Sequence, residues 1–263
     1  MLKQLNLQFS ETFPSDIWET ALSGEYLLIG CREGDKMEAT FSLYDLKQHN
    51  FLWKSISFDE SWWVSIYAFV DNIIVFQIFN DSQNIEARSL FGFEITRMEA
   101  VWSVDNVNVL GLSGQVLKLK SQETENDFFK IDITTGEEIK LDSEKLDQEN
   151  VSNGIILPFH YTEENPYFQT VKQFLAEFAD LHLVGACDYL EYNGLILISA
   201  HEKLEQNLSN TIVVFDGSGN LILKEVLAEQ SKGLASDTFY IVNEQLIFVK
   251  EKREMKGYLI ENL

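Results

Sequence analysis

Short apolar runs recur along the chain and predict a fold built from β-strands. Each run is rich in β-branched and aromatic residues and is bounded by polar or glycine-containing turns. The runs occupy residues 25–31, 72–79, 107–112, 154–161, 194–200 and 244–250. Their starts lie about 35 to 50 residues apart, which is the period of a repeated four-stranded sheet.

A second strand that ends in a polar turn follows most of these runs. Aligned at the turn, the repeat position is occupied by Asp45, Gly92, Asp132 and Asp216, with Glu261 in a last copy. The intervals are 47, 40, 84 and 45 residues, so one copy between residues 132 and 216 is altered. The pattern predicts six copies in all.

The turn segment DGSGN, which begins at Asp216, also resembles a calcium-binding loop because its oxygen-bearing side chains alternate. A loop of the EF-hand kind needs a Glu at its twelfth position, and that position is Leu227. An Asp followed by Gly is typical of a tight turn, because the Asp accepts hydrogen bonds from the backbone that follows it. We therefore expect a turn and no metal ion here.

An amphipathic helix is predicted at residues 166–180, inside the altered copy. Asn165 can cap the helix, Pro166 suits its first position, and apolar residues recur at helical spacing from Tyr167 to Leu181. We expect the apolar stripe to pack on a sheet. The fold class expected is all-β with this one inserted helix.

The strands SLYDLKQHNFLW and FFKIDITTGEEIKL resemble the outer strands of quinoprotein-like β-propellers, whose blades carry an Asp, a Thr-Gly-like turn and a closing Trp. Trp53 and Trp102 match that Trp in two copies. With the segments HYTEENPYFQTVKQFL and GACDYLEYNGLILIS, the whole chain also resembles an uncharacterised bacterial propeller-like family of about this size. The resemblance implies a β-propeller but not a quinone site.

The copy count favours six blades over five or seven, in a single domain spanning residues 1–263. The strand LKQLNLQF near the N-terminus is expected to pair with the last copy, which would remove two sheet edges.

Composition narrows the possible partners. The chain carries 42 acids and 20 bases, a formal net charge of −22, so nucleic acid and anionic membrane surfaces are poor partners. No signal-peptide pattern and no apolar run of membrane-spanning length is present, so a cytoplasmic location is expected. A monomer is expected as well. Cys31 and Cys187 lie in apolar segments without metal-ligand spacing, and we expect both to be buried and inert.

Motifs for nucleophilic catalysis, phosphate binding and metal binding are absent from the sequence, so we expect no cofactor and no metal. Of the histidines, His49 and His201 are expected in solvated positions. His160 interrupts an apolar strand and is followed by Tyr161. It is either a satisfied structural histidine or part of a site.

Paired carboxylates could perform glycoside hydrolysis if they met near a propeller axis. The strands that precede the apolar runs would lie innermost, which makes Asp59 and Glu60 candidates together with Asp188 and Glu191. A chain with this many acids produces such combinations readily, so this remains the alternative hypothesis.

Trp62 and Trp63 are adjacent, and on a strand their side chains would face opposite sides. Either both pack between blades, or one ring stacks on a ligand. The candidate ligand-binding residues are therefore Trp63, His160, Tyr161, Asp188 and Glu191. The leading hypothesis is a non-catalytic protein that binds a protein or small ligand on one face, although enzymatic activity stays open.

Overall fold

The computed structural model describes residues 5–59, 61–79, 88–124, 127–139 and 154–260. The chain divides into two compact units, Ser15–Asn153 (the central unit) and Met1–Pro14 with Gly154–Leu263 (the terminal unit). The described residues are mostly in strands, with a single α-helix, and this confirms the all-β class with one helix. The single domain expected from composition stays a prediction.

Besides one short 3-10 helix (Ser61–Trp63), nineteen strands and one α-helix make up the regular structure of the described residues. In chain order they are β1 (Leu5–Thr12), β2 (Asp16–Ser23), β3 (Tyr26–Glu33), β4 (Glu38–Asp45), β5 (Asn50–Ile56), β6 (Val64–Val70), β7 (Ile73–Phe79), β8 (Arg88–Glu94), β9 (Glu99–Ser113), β10 (Val116–Ser121), β11 (Phe128–Asp132), β12 (Phe159–Thr162), α1 (Phe168–Phe178), β13 (Leu183–Tyr192), β14 (Leu195–Leu204), β15 (Asn207–Asp216), β16 (Leu221–Ser231), β17 (Phe239–Val242), β18 (Gln245–Lys250) and β19 (Glu254–Ile260).

The described strands of the central unit form two antiparallel sheets. One has the order β2-β3-β4-β5 and the other the order β6 to β11, so neighbours in the chain are neighbours in the sheet. The long strand β9 pairs with β8 up to Val107 and with β10 from Val107 onward. An aromatic core joins the two sheets, with the rings of Phe41 and Phe76 4.8 Å apart in an edge contact.

The terminal unit also contains two antiparallel sheets, of order β12-β13-β14-β15-β16 and β1-β19-β18-β17. Strand β1 pairs with β19, from Leu5 opposite Ile260 to Thr12 opposite Glu254, which confirms the predicted pairing with the last copy. A core that includes Leu197 and Val214 of one sheet and Phe248 of the other packs the two sheets together.

The described strands form four sheets, and dividing β9 at Val107 separates the six-stranded sheet into two. This gives five sheets, whereas the sequence favoured six copies. The run at 154–161 does not build a separate sheet in the described residues. Only β12 belongs to it, as the first strand of the sheet that also contains the run at 194–200. Pro158 lies directly before β12 and has no N–H to donate to a ladder, which shortens this strand.

Helix α1 is shorter than predicted by two residues at each end. Asn165 accepts a hydrogen bond from the Tyr167 N–H at 2.9 Å but caps a turn rather than the helix, because Tyr167 itself is the N-cap. The buried residues Phe168, Val171 and Leu175 pack on β13, β14 and β15, which confirms that the apolar stripe covers a sheet.

The turn carboxylates form a repeated local structure. Asp45 Oδ1 accepts hydrogen bonds from the backbone N–H groups of the second and third residues after it, and Asp132 Oδ1 does the same. In the copy between them the acceptor is Glu94, through Oε2, and not Gly92 as aligned. The sequence alignment therefore placed the turn of this copy two residues too early. Gly92 lies in the strand before the turn and contacts Trp102. Glu261 lies outside the described residues.

Asp216 holds its own turn as well. Its Oδ1 accepts from the N–H groups of Ser218 and Asn220, both at 2.9 Å, and its Oδ2 accepts from the Asn220 amide at 2.8 Å. Gly219 has a φ of +82°, a conformation that suits glycine. These bonds lower the pKa of Asp216, with the Asn220 side chain as the largest cause. Both carboxylate oxygens therefore bond the loop itself.

Two tryptophans link successive copies in the same way. The Trp53 indole N–H donates to the carbonyl of Ile95 at 3.1 Å, and that of Trp102 donates to the carbonyl of Ile133 at 2.6 Å. Each acceptor directly follows the turn carboxylate of the next copy. Trp102 also lies against Gly92, where any side chain would collide with the indole ring. The closing Trp positions predicted from the sequence therefore make equivalent contacts.

Candidate functional site

Strands β12 and β13 bring together two of the residues proposed from the sequence. His160 lies opposite Asp188 in the strand register, and the His160 Nδ1 to Asp188 Oδ1 distance is 2.7 Å. The Asp188 side chain is 1% exposed, whereas that of His160 is 35% exposed. A buried carboxylate thus holds one side of a ring that is partly exposed to solvent.

Thr238, which lies just before β17, bonds the second carboxylate oxygen of Asp188. The Thr238 N–H and hydroxyl donate to Asp188 Oδ2 at 2.9 and 2.8 Å. An ionised carboxylate can only accept hydrogen bonds, so His160 must donate through Nδ1. This fixes the tautomer and orientation of the imidazole and leaves Nε2 for an external group.

The opposite face of β12 and β13 carries a tyrosine cluster. Tyr161 stacks on Tyr189 with ring centroids 5.6 Å apart, and Tyr167 lies 6.1 Å from Tyr161. The Tyr189 hydroxyl donates to Glu191 Oε1 at 2.5 Å. Burial raises the pKa of Tyr189, and the bonded Glu191 carboxylate raises it further. Tyr161 and Glu191 therefore belong to one aromatic and acidic surface, separated from His160 by the sheet.

The proposed residue Trp63 lies in the central unit. It is the last residue of a short 3-10 helix, Ser61–Trp63, and is 40% exposed. The expectation that Trp62 and Trp63 alternate on a strand was wrong, because β6 begins only at Val64. Arg32 fixes this turn by donating to the carbonyls of Trp62 and Val64.

The carboxylate candidates for hydrolysis are not arranged as a pair within either unit, as far as the described residues show. Asp188 and Glu191 are three residues apart on one regular strand, so their side chains face opposite sides of the sheet. Asp59 belongs to the central unit, and Glu60 lies outside the described residues.

A buried polar group that was not expected from the sequence adjoins His160 and Asp188. His201 is 1% exposed, so its predicted solvated position was wrong, whereas His49 is exposed in a turn as expected. The His201 Nδ1 lies 3.1 Å from the carbonyl of Ala186, and its Nε2 is 3.1 Å from the Asn210 amide nitrogen. Ser199 in turn donates to Asn210 Oδ1 at 2.8 Å.

The alternation of Leu197, Ser199 and His201 along β14 could have indicated this group. Residues two apart share one face of a strand, and Leu197 packs in the core between the two sheets of the terminal unit. Polar residues that continue an apolar face are therefore candidates for burial. The alternation alone does not identify the hydrogen-bond partners of these side chains. The partners lie on β13, on β15 and in the loop before β17.

The loop 232–238, which we call the strap, joins β16 to β17 and lies on this group. The Ala235 N–H donates to His201 Nε2 at 3.1 Å, and Thr238 bonds Asp188 as described. Leu234 packs on Gly185, where a β-carbon would lie 2.9 Å from Leu234 Cδ2. The strap is thus attached at three points to β13 and β14.

The cysteines are both buried, as predicted. Burial raises the pKa of Cys31 and of Cys187 to about 12, with a smaller contribution from a neighbouring aspartate in each case. Both thiols are therefore protonated at neutral pH and poor nucleophiles.

Within the described ranges, no three His, Cys, Asp or Glu side chains are grouped closely enough to hold a metal ion. Over the same residues, the helix found is too short and too polar to cross a membrane.

Comparison with known families gives one partial match. A family model described as a domain of unknown function, DUF4905, matches residues 22–102. That stretch runs from β2 into β9 and includes Trp53, Trp63 and Trp102, but none of the residues around His160. No curated protein sequence matches the chain.

Several solved structures are similar to the chain at low identity. A member of the DUF4221 family from Bacteroides vulgatus is 11% identical, with 100% of this chain and 99% of that one covered and a TM-score of 0.35. The β-propeller domain of the Trilobed protease from Pyrococcus furiosus is 13% identical over 96% of this chain and 66% of that one, with a TM-score of 0.33. The Dos1 propeller is 10% identical over 93% and 54%, with a TM-score of 0.26. The chain thus matches solved β-propeller structures.

Proposed function

We propose that this chain is a non-catalytic binding protein, and that it binds a small ligand or a segment of a protein at His160. The observation that carries the proposal is the His160–Asp188–Thr238 chain of hydrogen bonds. Burying a carboxylate is costly unless its oxygens are satisfied, and here one oxygen is committed to orienting a partly exposed histidine. A fixed imidazole offers one directed contact through Nε2.

The chemistry around His160 favours binding over catalysis. An oriented histidine activates a nucleophile only when a Ser, Cys or Thr lies within hydrogen-bond reach of its free nitrogen. The hydrogen bonds of the nearby hydroxyls go elsewhere: Thr238 donates to Asp188, and Ser199 donates to Asn210. The neighbouring cysteine, Cys187, is buried on the other face of the sheet with a raised pKa.

We also propose that the repeated copies form a quinoprotein-like β-propeller. The support is the repeated contact in which Trp53 and Trp102 each bond the copy that follows. A propeller face presents loops and strand ends from several blades, and this suits the binding of a protein or small ligand. No quinone or other cofactor is part of the proposal.

Ligand-observed saturation-transfer NMR on a set of small alcohols, amines and carboxylic acids tests the binding role. We expect at least one compound to bind the unaltered protein and to lose at least tenfold in affinity in His160→Ala. His49→Asn is the matched control, because His49 is exposed in a turn with a φ of +54° that Asn tolerates. The proposal would be refuted if binding persisted in His160→Ala. It would also be refuted if no compound bound the unaltered protein and no peptide from a random library did so either.

A further inference from the structure

His201 is placed to respond to acid by releasing the strap. Its Nε2 is the acceptor for two donors, the Asn210 amide and the Ala235 N–H. Its Nδ1 faces the Ala186 carbonyl, which can only accept, so the ring must carry its single proton on Nδ1. The neutral form of His201 therefore satisfies all three partners.

Protonation would reverse this arrangement. The imidazolium carries a proton on both nitrogens, so Nε2 would then present a donor to two other donors. Asn210 can turn its amide so that its oxygen accepts from the imidazolium, because the Ser199 hydroxyl that it bonds can accept as well as donate. The backbone N–H of Ala235 can only donate and has no such alternative. The Ala235 N–H belongs to a loop, and the loop can move away. The strap is therefore the element that yields.

We propose that His201 is a proton-operated latch: neutral His201 holds the strap 232–238 closed, and protonated His201 releases it. Release of Ala235 also frees Thr238, three residues along the same loop, from Asp188. Asp188 then loses the two donors that fix it, and His160 loses its fixed orientation. This last consequence rests on the binding role proposed above, whereas the latch itself does not.

The electrostatic surroundings agree with this geometry. Burial lowers the pKa of His201 from 6.5, and the neighbouring His160 on β12 lowers it further. The Ala186 carbonyl and the Asp188 carboxylate on β13 act in the opposite direction. The facing segment of β15 contributes the uncharged Asn210, while the strap itself carries Lys232 and Asp237. The closed strap therefore disfavours the proton that the open strap accepts.

Amide hydrogen exchange on the full chain, read residue by residue between pH 8 and pH 4.5, tests the latch without any ligand. Because the open state binds one more proton than the closed state, the protection factor of Ala235 should be constant above pH 6.5. Below it, the factor should fall about tenfold per pH unit until the closed form also titrates. Thr238 should follow Ala235. The core amide of Ile212 should keep its protection, so that global unfolding is recognised.

Two variants identify the histidine responsible. In His201→Gln the amide oxygen can accept at the place of Nε2 but does not titrate, so the protection of Ala235 should lose its pH dependence. His160→Gln should retain the transition, because the hydrogen bond of His160 goes to Asp188 and not to the strap. If His201→Gln does not fold, the unaltered protein still decides the matter through its own exchange profile. Constant protection of Ala235, or loss together with Ile212, would overturn the latch.

Latch and binding role fail in different ways. If the exchange transition occurs but no probe compound binds at pH 8, the latch stands and the binding proposal falls. If a probe binds through His160 while Ala235 protection is constant with pH, the binding role stands and the latch falls.

Discussion

Individual carboxylates in the terminal unit show how charge is buried at low cost. Asp188 is satisfied by three donors from a histidine and a threonine. Glu225 on β16 is satisfied by cations instead. It accepts from Lys250 at 2.5 Å, from Lys256 at 2.8 Å and from the Tyr258 hydroxyl at 2.8 Å. Side chains from β18 and β19 thereby meet β16, so this carboxylate joins the two sheets of the terminal unit.

Glu225 should make the stability of the terminal unit depend on acid. Although burial alone would raise its pKa, the Lys250, Lys256 and Tyr258 hydrogen bonds lower it from 4.5 to about 2. The folded form therefore resists protonation, and its stabilisation is complete above pH 4.5 and is lost as pH falls towards 2. We expect Glu225→Gln to lower the free energy of unfolding by about 2 kcal/mol at pH 7. Urea unfolding of both proteins should show this difference shrinking below pH 4.5.

An exposed ion pair supplies the control for Glu225. Glu99 pairs with Arg97 at 3.1 Å, but both side chains are largely exposed. Glu99→Gln should therefore change the free energy of unfolding by less than about 1 kcal/mol at any pH. Equal effects of the two substitutions would show that the Glu225 cluster adds nothing beyond ordinary surface charge.

At the scale of elements, local sequence patterns predicted the strands and the helix. The turn at Glu94 and the burial of His201 depend on contacts that these patterns do not contain. Strand runs and the helix stripe were readable because burial imposes a period of about two or 3.6 residues on the chain itself. The alignment at Gly92 was wrong because the turn needs a carboxylate, which Glu94 provides from two residues further on. His201 was misplaced because its burial depends on a loop more than thirty residues away in the sequence.

Gly92 is required by the tryptophan that links two copies. A side chain at this position would enter the space of the Trp102 indole ring, and the ring is itself fixed by its bond to Ile133. We expect Gly92→Ala to lower the free energy of unfolding by about 1 to 3 kcal/mol, measured by urea denaturation. Gly34→Ala is the matched control, because a β-carbon there meets open space. Its effect should lie within about 0.5 kcal/mol.

A second substitution separates crowding from loss of the glycine itself. In Trp102→Leu the ring is gone, so adding Gly92→Ala should cost less than it does in the unaltered protein. Strictly additive effects would mean that Trp102 is not the reason for the glycine.

At the scale of the whole molecule, the first and last described strands, β1 and β19, pair with each other. The residues that they bring together are more than 240 positions apart in sequence. This pairing was predictable because the first strand alternates and its pairing with the last copy removes two sheet edges. Its fine structure was not, since it depends on a close contact between an aromatic ring and a glycine. Phe9 lies against Gly257 on β19, where any side chain would collide with the ring.

Gly257→Ala should therefore loosen β1 while leaving the sheet behind it intact. The new methyl group would push Phe9 out of a position where it is buried, and β1 is the edge strand of its described sheet, with β19 beside it. We expect the exchange protection of β1 amides to fall at least tenfold, which corresponds to about 1.4 kcal/mol of local opening, whereas amides of β18 should change little. Gly111→Ala, at a strand glycine with open space, controls for the substitution itself. Adding Phe9→Ala to Gly257→Ala should not loosen β1 further, because the new methyl group has already displaced the ring that Phe9→Ala removes. Equal loss of protection in β1 and β18 would instead mean that the sheet opens as one unit and that Phe9 does not act as a local clamp.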